Sequence, residues 1–167
     1  GVYFKVLDDT GDPEVGESQG KRYTLKEQQM PAVAALSDET FVIGWESAQQ
    51  DLSEGAIMAR VFGTTGTGGA EMLLNETTAG HQGVPAIATL PDGGAMAVWS
   101  GEVQGAGIGI YARRLSSVGW PDGPEELFGS GNETDSNPAV AMVGASAAVA
   151  WQRGILSLDI QGRLCPD

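Results

Sequence analysis

An all-β fold of repeated, four-stranded antiparallel units is what this chain predicts, on three observations. A Pro-Ala dipeptide opens a short apolar run three times, at Pro31, Pro85 and Pro138, spaced 54 and 53 residues apart. Each run closes, after a turn, on a tryptophan: Trp45, Trp99 and Trp151. Glycine is abundant, at 25 of 167 residues, which with the turn-rich pattern favours many short strands over helices. A fixed period near 50 residues marks supersecondary units that bury their apolar faces only by stacking on their neighbours.

The elements follow in chain order. Residues 1–7 match 109–115 as a third strand, and 21–25, with Tyr23, Thr24 and Leu25, take the place of a fourth, so 1–29 reads as half a unit. The unit 30–83 is complete. Its strands are 31–36, 41–45 up to Trp45, 56–62, and a short 72–74. The unit 84–136 shows the grammar most fully, with strands 85–90 and 95–99 joined by Pro91-Asp92-Gly93-Gly94, where Asp-Gly supplies the positive φ angles of a tight hairpin. A polar, Gly-rich loop over 100–107 leads to strand 108–115, and a turn through Gly119 and Gly123 leads to a weak strand at 126–128. The last unit, 137–167, offers strands at 139–143, 147–151 and 155–160 and no fourth.

Within a unit the apolar content falls from first strand to last. Near-continuous apolar runs predict strands covered on both faces, whereas a short polar strand suits an outer edge that discourages further pairing. Antiparallel units of this size, apolar inside and polar at the rim, are what β-propeller blades require. A flat solenoid or sandwich is the alternative, disfavoured because each unit is a complete meander. The expectation is a single repeat domain, a β-propeller-like and incomplete arc of about three and a half blades. Three first-second hairpins stand against four third strands, so the arc is expected to be completed by another polypeptide chain or by a segment outside this sequence.

Nine Lys plus Arg against 22 Asp plus Glu leave a net charge of −13, which repels phosphate backbones and anionic lipid and argues against nucleic acid and membrane surfaces as partners. The longest nearly apolar stretch, 138–151, is broken by Gly144 and Ser146 and falls short of the ~20 residues of a membrane span. A chain of this length buries roughly 70% of its unfolded surface, enough for a sizeable core.

The repeat itself resembles those of large secreted bacterial proteins. The resemblance is carried by Pro31-Ala32-Val33-Ala34, the Asp92-Gly93 turn, the apolar run to Trp99, Gly109-Ile110-Tyr111-Ala112-Arg113 and the Asn-x-Thr triplets at Asn75 and Asn132. It implies a bacterial protein, secreted or at the cell surface, with a propeller-like fold, and it carries no activity. Cys165, near the end of the chain, is either an incidental thiol or a disulfide to a segment or chain outside this sequence.

Candidate chemistry is sparse. Gly16-Glu17-Ser18-Gln19-Gly20 matches a nucleophile elbow, but a strand-like segment follows it where a helix is required. His81 stands alone in a polar loop. Asp8, Thr10 and Asp12 place oxygens at alternate positions of an acidic turn and are the candidate ligands for Ca2+, without the closing Glu of an EF-hand loop; no other cofactor is implied. Trp45, Trp99 and Trp151 share one repeat position, and the indoles either pack between units or form a ring of glycan-binding sites. Trp120 stands outside the pattern and is expected near solvent. Lys5, Arg60 and Arg113 are equivalent and are expected to pair with acids on adjacent strands. The functional expectation is a non-catalytic extracellular interaction or scaffold module. The alternatives are a carbohydrate-binding propeller lectin, or part of a propeller glycosidase or lyase, for which the predicted first strands offer no carboxylates.

Overall fold

Thirteen strands and no helix are found among the described residues. The structure, a computed structural model, describes all residues except 38, 130–133, 155–158 and 166–167. Strands β1 (Tyr3–Leu7) and β2 (Pro13–Gln19) form a two-stranded sheet. A four-stranded sheet follows from β3 (Gln28–Ala35), β4 (Thr40–Ser47), β5 (Ala56–Gly63) and β6 (Gly68–Leu73). The next holds β7 (Gln82–Thr89), β8 (Ala95–Glu102), β9 (Ile108–Leu115) and β10 (Glu126–Leu127), and the last β11 (Asp135–Val143), β12 (Ser146–Arg153) and β13 (Asp159–Cys165). In every sheet each strand pairs antiparallel with the next in sequence.

Local chemistry sets the turns. Between β7 and β8, Gly93 takes a φ of 84° that an L side chain resists, and its N–H donates to Leu90 O at 3.0 Å. Asp92 Oδ1 accepts from Gly94 N at 3.0 Å, and that bond, with Arg114 nearby, holds the Asp92 carboxyl below the usual carboxylate range.

The two sequence markers of the repeat turn out to be one device. Gln29 pairs with Glu46 and Ala32 with Gly44, so Met30 and Pro31 together oppose the single residue Trp45. The same two-against-one bulge sets Val84 and Pro85 against Trp99, and Asn137 and Pro138 against Trp151. Met30, Val84 and Asn137 take φ angles of 50°, 54° and 50°. Proline cannot donate to a ladder, so it belongs at the bulge, and the strands begin three, three and four residues earlier than expected, at Gln28, Gln82 and Asp135.

Successive sheets stack face to face through apolar clusters. Trp45 packs with Val2, Ile43, Met58 and Phe62 between the first two sheets. Trp99 lies with Ala34, Leu36, Val42, Ile57 and Leu74 between the second and third, and Trp151 with Val98, Ile110, Ala112 and Val149 between the third and fourth. Gly44 fits this packing by having no side chain, since a Cβ there would meet Ile87 Cδ1 at 2.7 Å. Gly44→Leu is therefore expected to cost about 1–3 kcal/mol by overpacking, read as a lower urea midpoint at unchanged slope; an unchanged midpoint would show that the two sheets do not meet there.

Three strand expectations are corrected. The partner of β1 is β2, not 21–25: the turn after Leu7 closes at once, with Asp8 N donating to Asp12 O at 2.8 Å, so the polar segment that follows pairs first. The third strand of the last sheet is β13, not 155–160, and β12 runs on to Arg153. Residues 155–158 lie outside the described residues. Two of the first strands are also not covered on both faces, whereas β7 is buried or half-buried over all but its last residue. β4 and β8 are central and almost wholly buried, but β3 and β11 are sheet edges, and their residues largely alternate between cover and solvent.

Candidate functional site

The tryptophans separate by burial. Trp45 and Trp99 have no exposed surface, which leaves no ring face for a sugar, and Trp151 is only 6% exposed. Trp99 stacks on Tyr111, ring centroids 6.3 Å apart and planes within 12°. They are buried because they sit opposite the bulge on a central strand, with their faces turned into the preceding sheet. Trp120 is 54% exposed in the turn after β9, where its carbonyl accepts from Ser116 N at 2.8 Å.

The acidic turn caps itself. Asp8 Oδ1 accepts from Thr10 N, Thr10 Oγ1 and Asp12 N at 2.9, 2.7 and 2.9 Å, and the Thr10 hydroxyl bond leads the causes that lower the Asp8 pKa. The carboxylate that would lead a Ca2+ site is thus tied up in closing the hairpin. No group of three His, Cys, Asp or Glu residues suited to a metal occurs among the described residues.

The equivalent cations join sheets through backbone carbonyls more than through acids. Arg60 is buried; its Nε and one terminal nitrogen donate to Gly69 O and Gly68 O at 2.8 and 3.1 Å, and its other nitrogen donates to Gly20 O at 3.2 Å, in the connection from the preceding sheet. Arg113 repeats this, donating to Gly123 O at 3.0 Å and across to Leu74 O at 2.9 Å, and it adds Glu76 at 2.6 Å. Lys5, on β1, is exposed.

A second repeated clasp has no counterpart among the sequence expectations. Glu71 accepts from the N–H groups of Arg22 and Tyr23, and Glu125, 54 residues later, from Glu76 N at 2.8 Å and Thr77 Oγ1 at 2.7 Å. The signal is the shared period of two glutamates, but the partners common to both are main-chain N–H groups and leave no side-chain signature.

The remaining motifs are structural. Asn75 is buried, accepts from Ile57 N at 2.8 Å and donates to Thr77 O at 3.0 Å, so its amide closes a loop; Asn132 lies outside the described residues. Gly16-Glu17-Ser18-Gln19-Gly20 runs along β2 and past its end with no helix after it. His81 is half-exposed and its Nε2 lies 3.2 Å from Oε1 of the buried Glu46, which also accepts from Gln29 Nε2 at 2.8 Å. Cys165 ends β13 opposite Ala147. One first strand does carry a carboxylate, contrary to expectation, because β11 starts at Asp135, but Arg153 occupies both of its oxygens.

Three depressions are found among the described residues: the smallest, of about 220 Å³, is lined by Asn137, Ala139, Ala150, Trp151, Gln152 and Ile160, and two are larger. A cleft of about 500 Å³ lies between residues 77–80 and the loop joining β8 to β9, with Glu102 its only charged lining residue. A groove of about 460 Å³ runs between β1 and the face of β3 and β4 formed by Pro31, Ala32, Val33, Phe41 and Ile43. It is the more apolar site, and one of its sides is the strand edge of β1.

No protein-family model matches the chain. No curated protein sequence matches it either. Among solved structures it is similar to the endo-arabinase from Bacteroides thetaiotaomicron VPI-5482, at 15% identity and a TM-score of 0.54, over 84% of this chain. The chain spans 56% of that enzyme's length. The likeness is one of all-β fold.

Proposed function

We propose that this chain is an open arc of a β-propeller-like array and serves as a non-catalytic extracellular interaction or scaffold module. On this reading the units 1–29, 30–83, 84–136 and 137–167 are about three and a half blades of one domain, and another polypeptide chain or segment completes them. The observation that carries it is the pairing of β1, which bonds to β2 on one side and has no described strand on its other edge, whereas β5 and β9 are paired on both. An open strand edge templates further pairing, and proteins that leave one either protect it or use it. In support of a non-catalytic role, the buried acids with described partners, Glu46 and Asp135, are bonded to neighbouring side chains. Export to the cell surface or medium rests on the resemblance of the repeats.

The fold likeness to an endo-arabinase favours a second, carbohydrate-related reading, as a lectin or as part of a glycosidase, with the exposed Trp120 as the aromatic contact. The mass of the native particle by light scattering tests the first reading. A particle well above 17.3 kDa is expected; a monodisperse monomer whose two end sheets close on each other would overturn it.

A further inference from the structure

The repeat supplies an internal standard for what belongs in the groove beside β1. Val33, Ile87 and Val140 occupy the same position on β3, β7 and β11, each at the second residue after the bulge proline. Ile87 packs into the cluster between the second and third sheets, with its Cδ1 beside Gly44, and Val140 packs against the cluster that holds Val98. Val33 has the same chemistry and is 64% exposed.

The difference lies in the preceding sheet. Strand β7 contacts β3, β4 and β5, the first three strands of the sheet before it. The sheet before β3 contains only β1 and β2, the equivalents of a third and a fourth strand. The first two strands are therefore what Val33 lacks, and the second of them would pair with the open edge of β1.

We propose that the groove between β1 and β3 receives an apolar antiparallel hairpin of the same kind as β7–β8, its second strand running antiparallel along β1 and its residue in the register of Gly44 and Val98 lying over Val33. This deepens the reading above and rests on it. A single extended peptide would satisfy the β1 edge but leave the face of β3 bare, which is why the occupant is a hairpin. Its chemistry is apolar on the face turned to β3, because Pro31, Val33, Phe41 and Ile43 present no charge; Lys5, on the β1 side, is the charged residue that lines the groove.

The test uses the whole chain and a synthetic hairpin of residues 82–102, followed by titration calorimetry and amide hydrogen exchange. Saturable 1:1 binding is expected, with exchange slowed along Tyr3–Leu7. Val33→Asp should weaken it at least tenfold, while Leu52→Asp, at a 98% exposed loop position, should leave it unchanged. Because a free hairpin can fail to fold, a second form joins residues 82–108 directly ahead of Gly1, so that the loop leads into β1 as it leads into β9. This fusion should protect the β1 amides and raise the unfolding midpoint, and Val33→Asp should abolish the rise. No protection in the fusion, binding indifferent to Val33→Asp, or a dimer of the chain that Val33→Asp dissociates would each overturn the proposal. The last would assign the groove to a second copy. A native particle heavier than the chain together with an inert fusion would overturn the hairpin and leave the interaction-module reading standing.

Discussion

Trp99→Ala is expected to destabilise the chain by about 3–5 kcal/mol, the range for truncating a large aromatic in a packed core. The indole has no exposed surface and stacks on Tyr111 in the cluster shared by the second and third sheets. Its removal opens a cavity that neither sheet can collapse into, because each is held in register by a full antiparallel ladder. Against a total stability of about 5–15 kcal/mol for an ordinary domain, that is a large fraction. Trp99→Phe should cost much less. The indole Nε1 has no hydrogen-bond partner among the described residues, so phenylalanine forfeits area but strands no polar group. Guanidinium unfolding of the three proteins measures both effects. A loss below about 1 kcal/mol for the alanine variant would mean that the two sheets are not packed through this ring.

The same tryptophan shows what the sequence made legible and what it hid. An indole that ends an apolar run at a fixed period announces burial, and the proline 14 residues before Trp99 announces a strand with one irregular end. That the two face each other across a bulge was not legible, because register depends on which strand residues pair, and the pairs on either side of the bulge look alike in sequence. Polar strands were hidden for a related reason. β2 reads Pro-Glu-Val-Gly-Glu-Ser-Gln, with little β propensity, and it forms because a tight turn delivers it to the edge of β1. Residues 21–25 have the better composition and lie in the connection to β3 instead.

The candidate site was legible only as arithmetic. Counting three first-second hairpins against four third strands predicted open edges along 1–7 and along 155–160, and the structure leaves β1 with no described strand on one edge, while 155–158 lie outside the described residues. The structure gives the groove its apolar wall as well, which needed the knowledge that β7 and β11 each lean on the sheet before them. The buried acids escaped notice for a different reason. Glu46, Asp135 and their partners are scattered along the chain and meet only when strands pair and sheets stack, so no local spacing marks them.

Arg153→Met is expected to cost about 3–5 kcal/mol, because it removes the partly exposed member of an ion pair and strands the buried one. Asp135 is 1% exposed, and Arg153 holds it in a two-bond fork, Nε to Oδ1 at 2.7 Å and a terminal nitrogen to Oδ2 at 2.9 Å. The pair is the local form of a position that the other sheets fill without charge. Asp135 lies opposite Arg153 as Gln28 lies opposite Ser47 and Gln82 opposite Gly101. Gln28 Nε2 donates to Leu25 O at 2.6 Å, and Gln82 Nε2 to Ala79 O at 2.9 Å, so a neutral amide there satisfies the loop that enters the strand. The double variant Asp135→Gln, Arg153→Ser copies the second sheet's solution into the fourth and should recover most of what Arg153→Met loses. The comparison separates a pair that stabilises the sheet from one that merely avoids an unpaired charge. Urea unfolding of the wild type, the single variant and the double variant decides it. A single variant that loses under about 1 kcal/mol, the range of exposed pairs, would show that water reaches Asp135 and that the stacking of the fourth sheet on the third is looser than its packing implies.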